Sequence, residues 1–279
     1  MKKGMLALAV FCLMTCFAMA EKAETFNVWN GVAPGNEEGK PAPTLELWKP
    51  AEKTSDSCMI VCPGGAYMGL AYNHEGEKIA KFFNGKGVTC VVLKYRVPRR
   101  EGIPKHMAAW QDAQRCVKFV RSHAQEWGID PEKIGIMGFS AGGHLTLMTA
   151  TTSQTPAYEW KDELDKVPCH VNFAAPVYPA YVLEDGSNGP NTGKGNDSVM
   201  VKDFAFDAKT PPMCLTHGDA DGYSPMGSVA VYHKLRTMNI PAELHIYAQV
   251  NHGFGGNPTG NHVGDWLNRV YAWMQVLGY

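Results

Sequence analysis

Lys133-Ile134-Gly135-Ile136-Met137-Gly138-Phe139-Ser140-Ala141-Gly142-Gly143-His144 is the stretch on which the reading of this chain turns. It opens as an apolar run of strand length and passes through G-x-S-x-G into a helical pattern. The motif alone says little. With 29 glycines and nine serines in 279 residues, about 0.1 chance matches are expected in such a chain. The setting gives it weight. A strand that turns sharply into a helix leaves its central serine in a strained conformation with Oγ exposed. Side chains two residues to either side would collide, so glycine stands there. The helix N-terminus adds a positive dipole end where an oxyanion would develop. Ser140 is therefore the candidate nucleophile.

Outward from this elbow, strand-length apolar runs alternate with helical patterns. Toward the N-terminus, Cys58 to Cys62 is continuously apolar, as a buried parallel strand should be. Thr44 to Trp48 reads as an edge strand, Gly76 to Phe83 as a helix, and Val88 to Tyr95 as a strand. Pro104 to Trp127 reads as an amphipathic helix, with Gly128 as its stop. Toward the C-terminus, strands are expected at Val171 to Tyr178, Met213 to Thr216 and Ala242 to Tyr247. A helix is expected from about Met226 to Met238. The chain closes on an amphipathic helix carrying Trp266, Val270, Trp273 and Leu277. This order predicts an α/β fold in one domain over residues 21–279, a mostly parallel sheet with helices on both faces. Asp185 to Phe206 has no clear pattern and reads either as a solvated loop or as a flap near the substrate.

Three further segments carry chemistry, each just after an expected strand. Cys62-Pro63-Gly64-Gly65-Ala66-Tyr67 has two glycines that let backbone N–H groups approach a ligand. Gly65, alone or with Gly64 or Ala66, would hold an oxyanion together with the N–H of Ala141. Thr216-His217-Gly218-Asp219-Ala220-Asp221 offers two carboxylates to orient a histidine. Asp221 is preferred because it lies further beyond the strand end. Asn251-His252-Gly253-Phe254-Gly255 presents His252 in a glycine-rich loop, where a general base is free to reach Ser140. The order nucleophile, acid, histidine suits the strand-elbow-helix setting. Of the other histidines, His144 is expected to pack or hydrogen-bond locally, and His217 to support the acid loop.

The ends and composition bound the rest. Lys2 and Lys3 precede the apolar run Met5 to Phe17, and Ala18-Met19-Ala20 is a small-x-small cleavage site. Residues 1–20 thus read as a secretory signal peptide, and the run is shorter than the roughly 20 residues that span a bilayer. Leu13-Met14-Thr15 before Cys16 is a poor match to a lipoprotein signal. A formal charge of −1 gives no electrostatic case for nucleic acid or an acidic membrane surface. The six cysteines beyond the leader are scattered through apolar runs and read as buried free thiols. No paired C-x-x-C or H-x-x-x-H spacing suggests zinc.

Taken in order, Cys62-Pro63-Gly64-Gly65-Ala66-Tyr67, Tyr95-Arg96-Val97-Pro98, Gly128-Ile129-Asp130-Pro131 and Gly138-Phe139-Ser140-Ala141-Gly142-Gly143-His144 resemble the α/β-hydrolases near the hormone-sensitive-lipase and acetyl-xylan-esterase-like families. The resemblance implies ester hydrolysis through Ser140, Asp221 and His252, without a cofactor. It also implies export and an acylated saccharide as substrate. The lipase-like relatives carry H-G-G-G where this chain has Pro63-Gly64-Gly65-Ala66, and an N-terminal helical cap for which this chain has little room. An open site without a large cap domain follows. A serine exopeptidase of the same fold and a non-catalytic glycan-binding relative use the same residues and stay as alternatives.

Overall fold

The computed structural model describes residues 23–36, 41–184, 199–257 and 262–279. The expected leader, residues 1–20, and residues 185–198 of the patternless stretch lie outside them.

The described elements, in chain order, are β1 (Glu24–Asn27), β2 (Thr44–Trp48), β3 (Cys58–Cys62), α1 (Lys78–Asn84), β4 (Thr89–Lys94), α2 (Met107–Ser122), β5 (Ile134–Phe139), α3 (Ala141–Thr151), β6 (Phe173–Val177), β7 (Met213–Gly218), α4 (Met226–Thr237), β8 (Ala242–Tyr247) and α5 (Trp266–Val276). A π-helical turn, Asn73–Glu77, runs directly into α1. The strands form one sheet in the order β1-β2-β4-β3-β5-β6-β7-β8. β1, β2 and β4 pair antiparallel, and every pairing from β4 through β8 is parallel. This is the α/β-hydrolase fold, and the mostly parallel sheet matches the expectation.

Period-two alternation splits the core into two layers. Cys58, Ile60 and Cys62 of β3 join the layer holding Val117, Leu145 and Val231 of α2, α3 and α4. Met59 and Val61 join the layer holding Phe83 of α1 and Trp266 and Val270 of α5. Both faces of the strand are buried, which is why it reads as an unbroken apolar run. Tyr95-Arg96 serves this packing. Arg96 is buried and donates to both oxygens of Asp112 on α2, to Pro34 O and to Ala108 O. It thereby ties β4, α2 and the N-terminal segment together.

Thr44–Trp48 is not an edge strand: β1 lies outside it, from Glu24 opposite Leu47 to Asn27 opposite Thr44. β1 is four mostly exposed residues, Glu-Thr-Phe-Asn, with no apolar alternation to announce it. The helix expected at 104–127 ends at Ser122. Beyond it the chain runs in turns to Gly128, yet Ala124 and Trp127 stay buried, so the apolar pattern outlasts the helix. On either side of residues 185–198 the chain is tied to itself. Leu183 bridges Met200, and Phe204 and Phe206 are buried. The segment before β3 contributes strands and no helix, and no large cap stands among the described residues.

Cys58, Cys62, Cys90, Cys116, Cys169 and Cys214 are all free and buried. Burial pushes each of these thiols up, away from the reactive thiolate. Treated with a thiol reagent such as DTNB, the folded protein is expected to leave all six unlabelled, and urea should expose all six together. Rapid labelling of any of them without denaturant would contradict the packing.

Candidate active site

The site lies at the carboxyl ends of β3, β5, β7 and β8, where parallel sheets of this kind place their ligands. Ser140 sits between β5 and α3 with φ 54° and ψ −117°, a conformation L-residues rarely adopt. It is held there from both sides of its backbone. Its N–H donates to Val177 O at 3.1 Å, and its carbonyl accepts from His144 N–H at 2.9 Å and Ala180 N–H at 3.1 Å. The flanking glycines are needed for close approach. A Cβ on Gly142 would stand 2.1 Å from Cys62 O, and one on Gly138 2.1 Å from Gly142 O.

The structure brings the three expected side chains into one line. Ser140 Oγ and His252 Nε2 are 2.8 Å apart, and His252 Nδ1 lies 2.7 Å from Asp221 Oδ2. The network assigns the roles: His252 Nδ1–H donates to the carboxylate, which leaves Nε2 to accept from the serine hydroxyl. Asp221 Oδ1 accepts the Tyr223 N–H at 2.7 Å. Burial works against the Asp221 charge, but hydrogen bonds from His217 and His252 override it and hold the carboxyl below its ordinary range. Asp219, the other candidate, is exposed, and its N–H donates to Tyr247 O. Only Asp221 reaches His252.

His217 has a definite place behind the acid. It is fully buried, donates from Nε2 to Tyr223 O at 3.0 Å, and its Nδ1 meets Ser228 Oγ at 2.8 Å. Nε2 is also 3.4 Å from Asp221 Oδ2. His144 bonds locally, as expected, with Nδ1 2.9 Å from Tyr67 Oη. Burial lowers its pKa well below that of free histidine, so it stays neutral.

The expected oxyanion donors separate into two groups. Gly64 N–H is already spent, donating to the buried Glu75 Oε2 at 2.8 Å, so it is not available to an oxyanion. Among the described residues, no acceptor faces the N–H groups of Gly65 or Ala141. Gly65, Ala66 and Tyr67 have φ of 133°, 56° and 58°, three successive left-handed residues. The loop lies directly against the nucleophile, since a Cβ on Gly64 would be 2.9 Å from Ser140 Cβ.

Sequence reasoning missed the wall around this line. Tyr67 stacks with Tyr181 at 6.3 Å, Tyr181 meets Tyr223 at 5.6 Å, and Tyr223 meets His252 at 4.9 Å. Lys105 Nζ sits 3.8 Å over the Tyr181 ring. Tyr181 and Tyr223 flank strand ends with no motif of their own; the positive φ of Tyr181, 58°, is invisible in sequence. Two side-chain sets among the described residues lie close enough to share a cation, His106 with His144 and Asp203, and Cys214 with Glu243 and His245. In the first, Tyr67 already occupies His144 Nδ1; in the second, burial keeps Cys214 a thiol.

Comparison with known proteins agrees with this architecture. The BD-FAE family profile matches residues 45–200. An acetylxylan esterase of Xylanibacter ruminicola is 28% identical over 99% of this chain and 52% of its own length. Endo-1,4-beta-xylanase B of Butyrivibrio fibrisolvens is 37% identical over 84% of this chain and 38% of its own length. The chain thus spans about half or less of these relatives. Among solved structures, an acetyl ester-xyloside bifunctional hydrolase from Caldicellulosiruptor lactoaceticus superimposes with a TM-score of 0.78 at 26% identity, covering 94% of this chain and 98% of that one. An esterase from Thermogutta terrifontis shares the fold, with a TM-score of 0.72 at 23% identity over 92% and 95% of the two chains. With more than half of its residues inside the profile and the sheet, elbow and loop order in place, this chain belongs to the BD-FAE family of α/β-hydrolases.

Proposed function

We propose that this chain is an exported serine carboxylic-ester hydrolase that removes acetyl or other small acyl groups from plant polysaccharides or oligosaccharides. One observation carries the reading: the hydrogen-bonded line Ser140–His252–Asp221 beside the unengaged N–H groups of Gly65 and Ala141. That set can run acyl transfer in two halves. His252 Nε2 takes the Ser140 proton as Oγ attacks the ester carbonyl. Gly65 and Ala141 stabilise the oxyanion, and His252 passes the proton to the departing sugar alkoxide. Water then attacks the acyl-serine, with His252 taking its proton and returning it to Ser140 Oγ as the acid leaves. Asp221 fixes the tautomer and stabilises the imidazolium between these steps.

The substrate side rests on the relatives, one named for acetylxylan and one for xylan, and on the lack of a large cap among the described residues. Export rests on Lys2-Lys3, the apolar run and Ala18-Met19-Ala20. Expressed in a bacterium with a secretion pathway, the mature protein should begin at Glu21 by N-terminal sequencing; retention of Met1 would refute export.

Hydrolysis of para-nitrophenyl acetate should fall by about 10⁴-fold or more in Ser140→Ala. Wild type should also release more acetate from acetylated xylan than ferulate from a feruloylated oligosaccharide. If wild type is no faster than Ser140→Ala, the esterase reading is wrong.

The two carboxylates give a second test. Asp221→Asn should lower kcat by roughly 10⁴-fold through loss of the productive tautomer, while Asp219→Asn stays within about threefold of wild type. Steady-state kinetics of the pair decide it, and the reverse ranking would overturn the assignment.

A further inference from the structure

Glu75 is a carboxylate inside the protein that the ester-hydrolysis chemistry does not use. It is 3% exposed and sits on the π-helical turn Asn73–Glu77. A π turn inserts one extra residue into a helix and costs stability, so its retention often marks a site where a side chain must be re-aimed. Here the re-aimed residues are Glu75 and Gly76, the two buried members of the turn.

Both oxygens of Glu75 are engaged, and by opposite sides of the active site. Oε2 accepts the Gly64 N–H at 2.8 Å, from the oxyanion loop. Oε1 accepts the Tyr178 hydroxyl at 2.8 Å, and that hydroxyl in turn accepts the Gly255 N–H at 2.9 Å, from the histidine loop. The same turn grips the histidine loop twice more. Gly256 N–H donates to His74 O at 2.7 Å, and a Cβ on Gly255 would lie 2.9 Å from His74 O and 3.1 Å from Glu75 Cγ. Tyr178 sets its ring edge-on to His252, with centroids 4.8 Å apart. Its own backbone is pinned at φ 35°, with N–H to Thr216 O at 2.7 Å. Further titratable groups beside Glu75 are His74, whose Nε2 is 3.7 Å from Oε1, and Tyr95, whose hydroxyl feels the Glu75 charge.

We propose that Glu75 is a positioning residue: through Gly64 and the Tyr178–Gly255 relay it sets the oxyanion loop and the His252 loop at a fixed separation across Ser140. The proposal rests on the esterase reading for its kinetic consequence. The chemistry selects a carboxylate. Both partners are donors, so both oxygens must accept. A glutamine of the same size presents one oxygen and one NH₂ group, so its NH₂ must face either the Gly64 N–H or a Tyr178 hydroxyl oxygen that already accepts from Gly255 and whose own proton then loses its acceptor. Burial, then the Glu75 charge, push the Tyr178 hydroxyl well above its ordinary pKa, so it keeps the proton it donates. The effect on rate is geometric, since a displacement of about 1 Å between reacting groups costs roughly 10²-fold.

The test is Glu75→Gln, Tyr178→Phe and the double variant, assayed with para-nitrophenyl acetate per folded molecule. Each single variant should lower kcat by about 10- to 100-fold with KM within about threefold. The double variant should lose no more than the worse single one, because both act through one relay. The downfield proton resonance of His252 Nδ1–H reads the same loop without turnover, and it should shift in both single variants. Tyr178→Phe removes only a hydroxyl and decides the matter if Glu75→Gln does not fold. Wild-type kcat in Tyr178→Phe, losses that multiply in the double variant, or an unmoved resonance would each overturn the proposal. Failure of the esterase reading looks different: wild type would then be no faster than Ser140→Ala.

Discussion

The site depends on backbone passing backbone with no side chain between. Gly142 lies against the carbonyls of Cys62 and Pro63, and Gly138 lies against the carbonyl of Gly142. These approaches force the reversal at Ser140 and keep it at φ 54°. Such a conformation costs of order 1–3 kcal/mol and persists only where the surroundings over-determine it. They do so here, because Ser140 N–H and C=O are bonded to Val177, His144 and Ala180. Three elements, β5, α3 and the chain beyond β6, therefore meet at one residue, with β3 packed over it. The Gly64-Gly65 loop, which continues β3, arrives beside Ser140 as a result of that packing.

Electrostatics follow the same economy. Asp221 is buried and would resist ionisation, yet it receives hydrogen bonds from Tyr223 N–H, His217 and His252. Its charge is stabilised by donors fixed in place rather than by water. His217, held by Ser228 and the Tyr223 carbonyl, approaches the same Asp221 oxygen as His252. The His252 imidazole stays partly exposed, while the Asp221 carboxylate that it meets is buried.

Much of this was legible in the sequence, and the pattern of what was not is physical. The elbow, the acid loop and the histidine loop each follow a strand directly, so local apolar runs and glycines locate them. Asp221 over Asp219 was also within reach, because two residues further along a loop changes what a side chain can touch. The position of Gly64-Gly65 directly after β3 marks both glycines as oxyanion donors. Which of two adjacent glycine N–H groups is free depends on a side chain eleven residues on, delivered by a π turn that has no periodic signature. Tyr178 and Tyr181 belong to the chain after β6 but act on loops that follow β3, β7 and β8. β1 went unseen because an exposed four-residue strand buries nothing that would mark it. Phe204 and Phe206 are buried by tertiary contacts that no local periodicity announces.

The six separated thiols bear on how the molecule comes into being. With no cross-link among them, nothing covalent records the strand order once the chain is unfolded. The sheet must be reassembled from noncovalent contacts alone, and its parallel pairs are joined by crossovers that are slow to close. In return, the native fold requires neither an oxidant nor a disulfide shuffling catalyst, and burial of the six thiols removes them from oxidants once the sheet has closed.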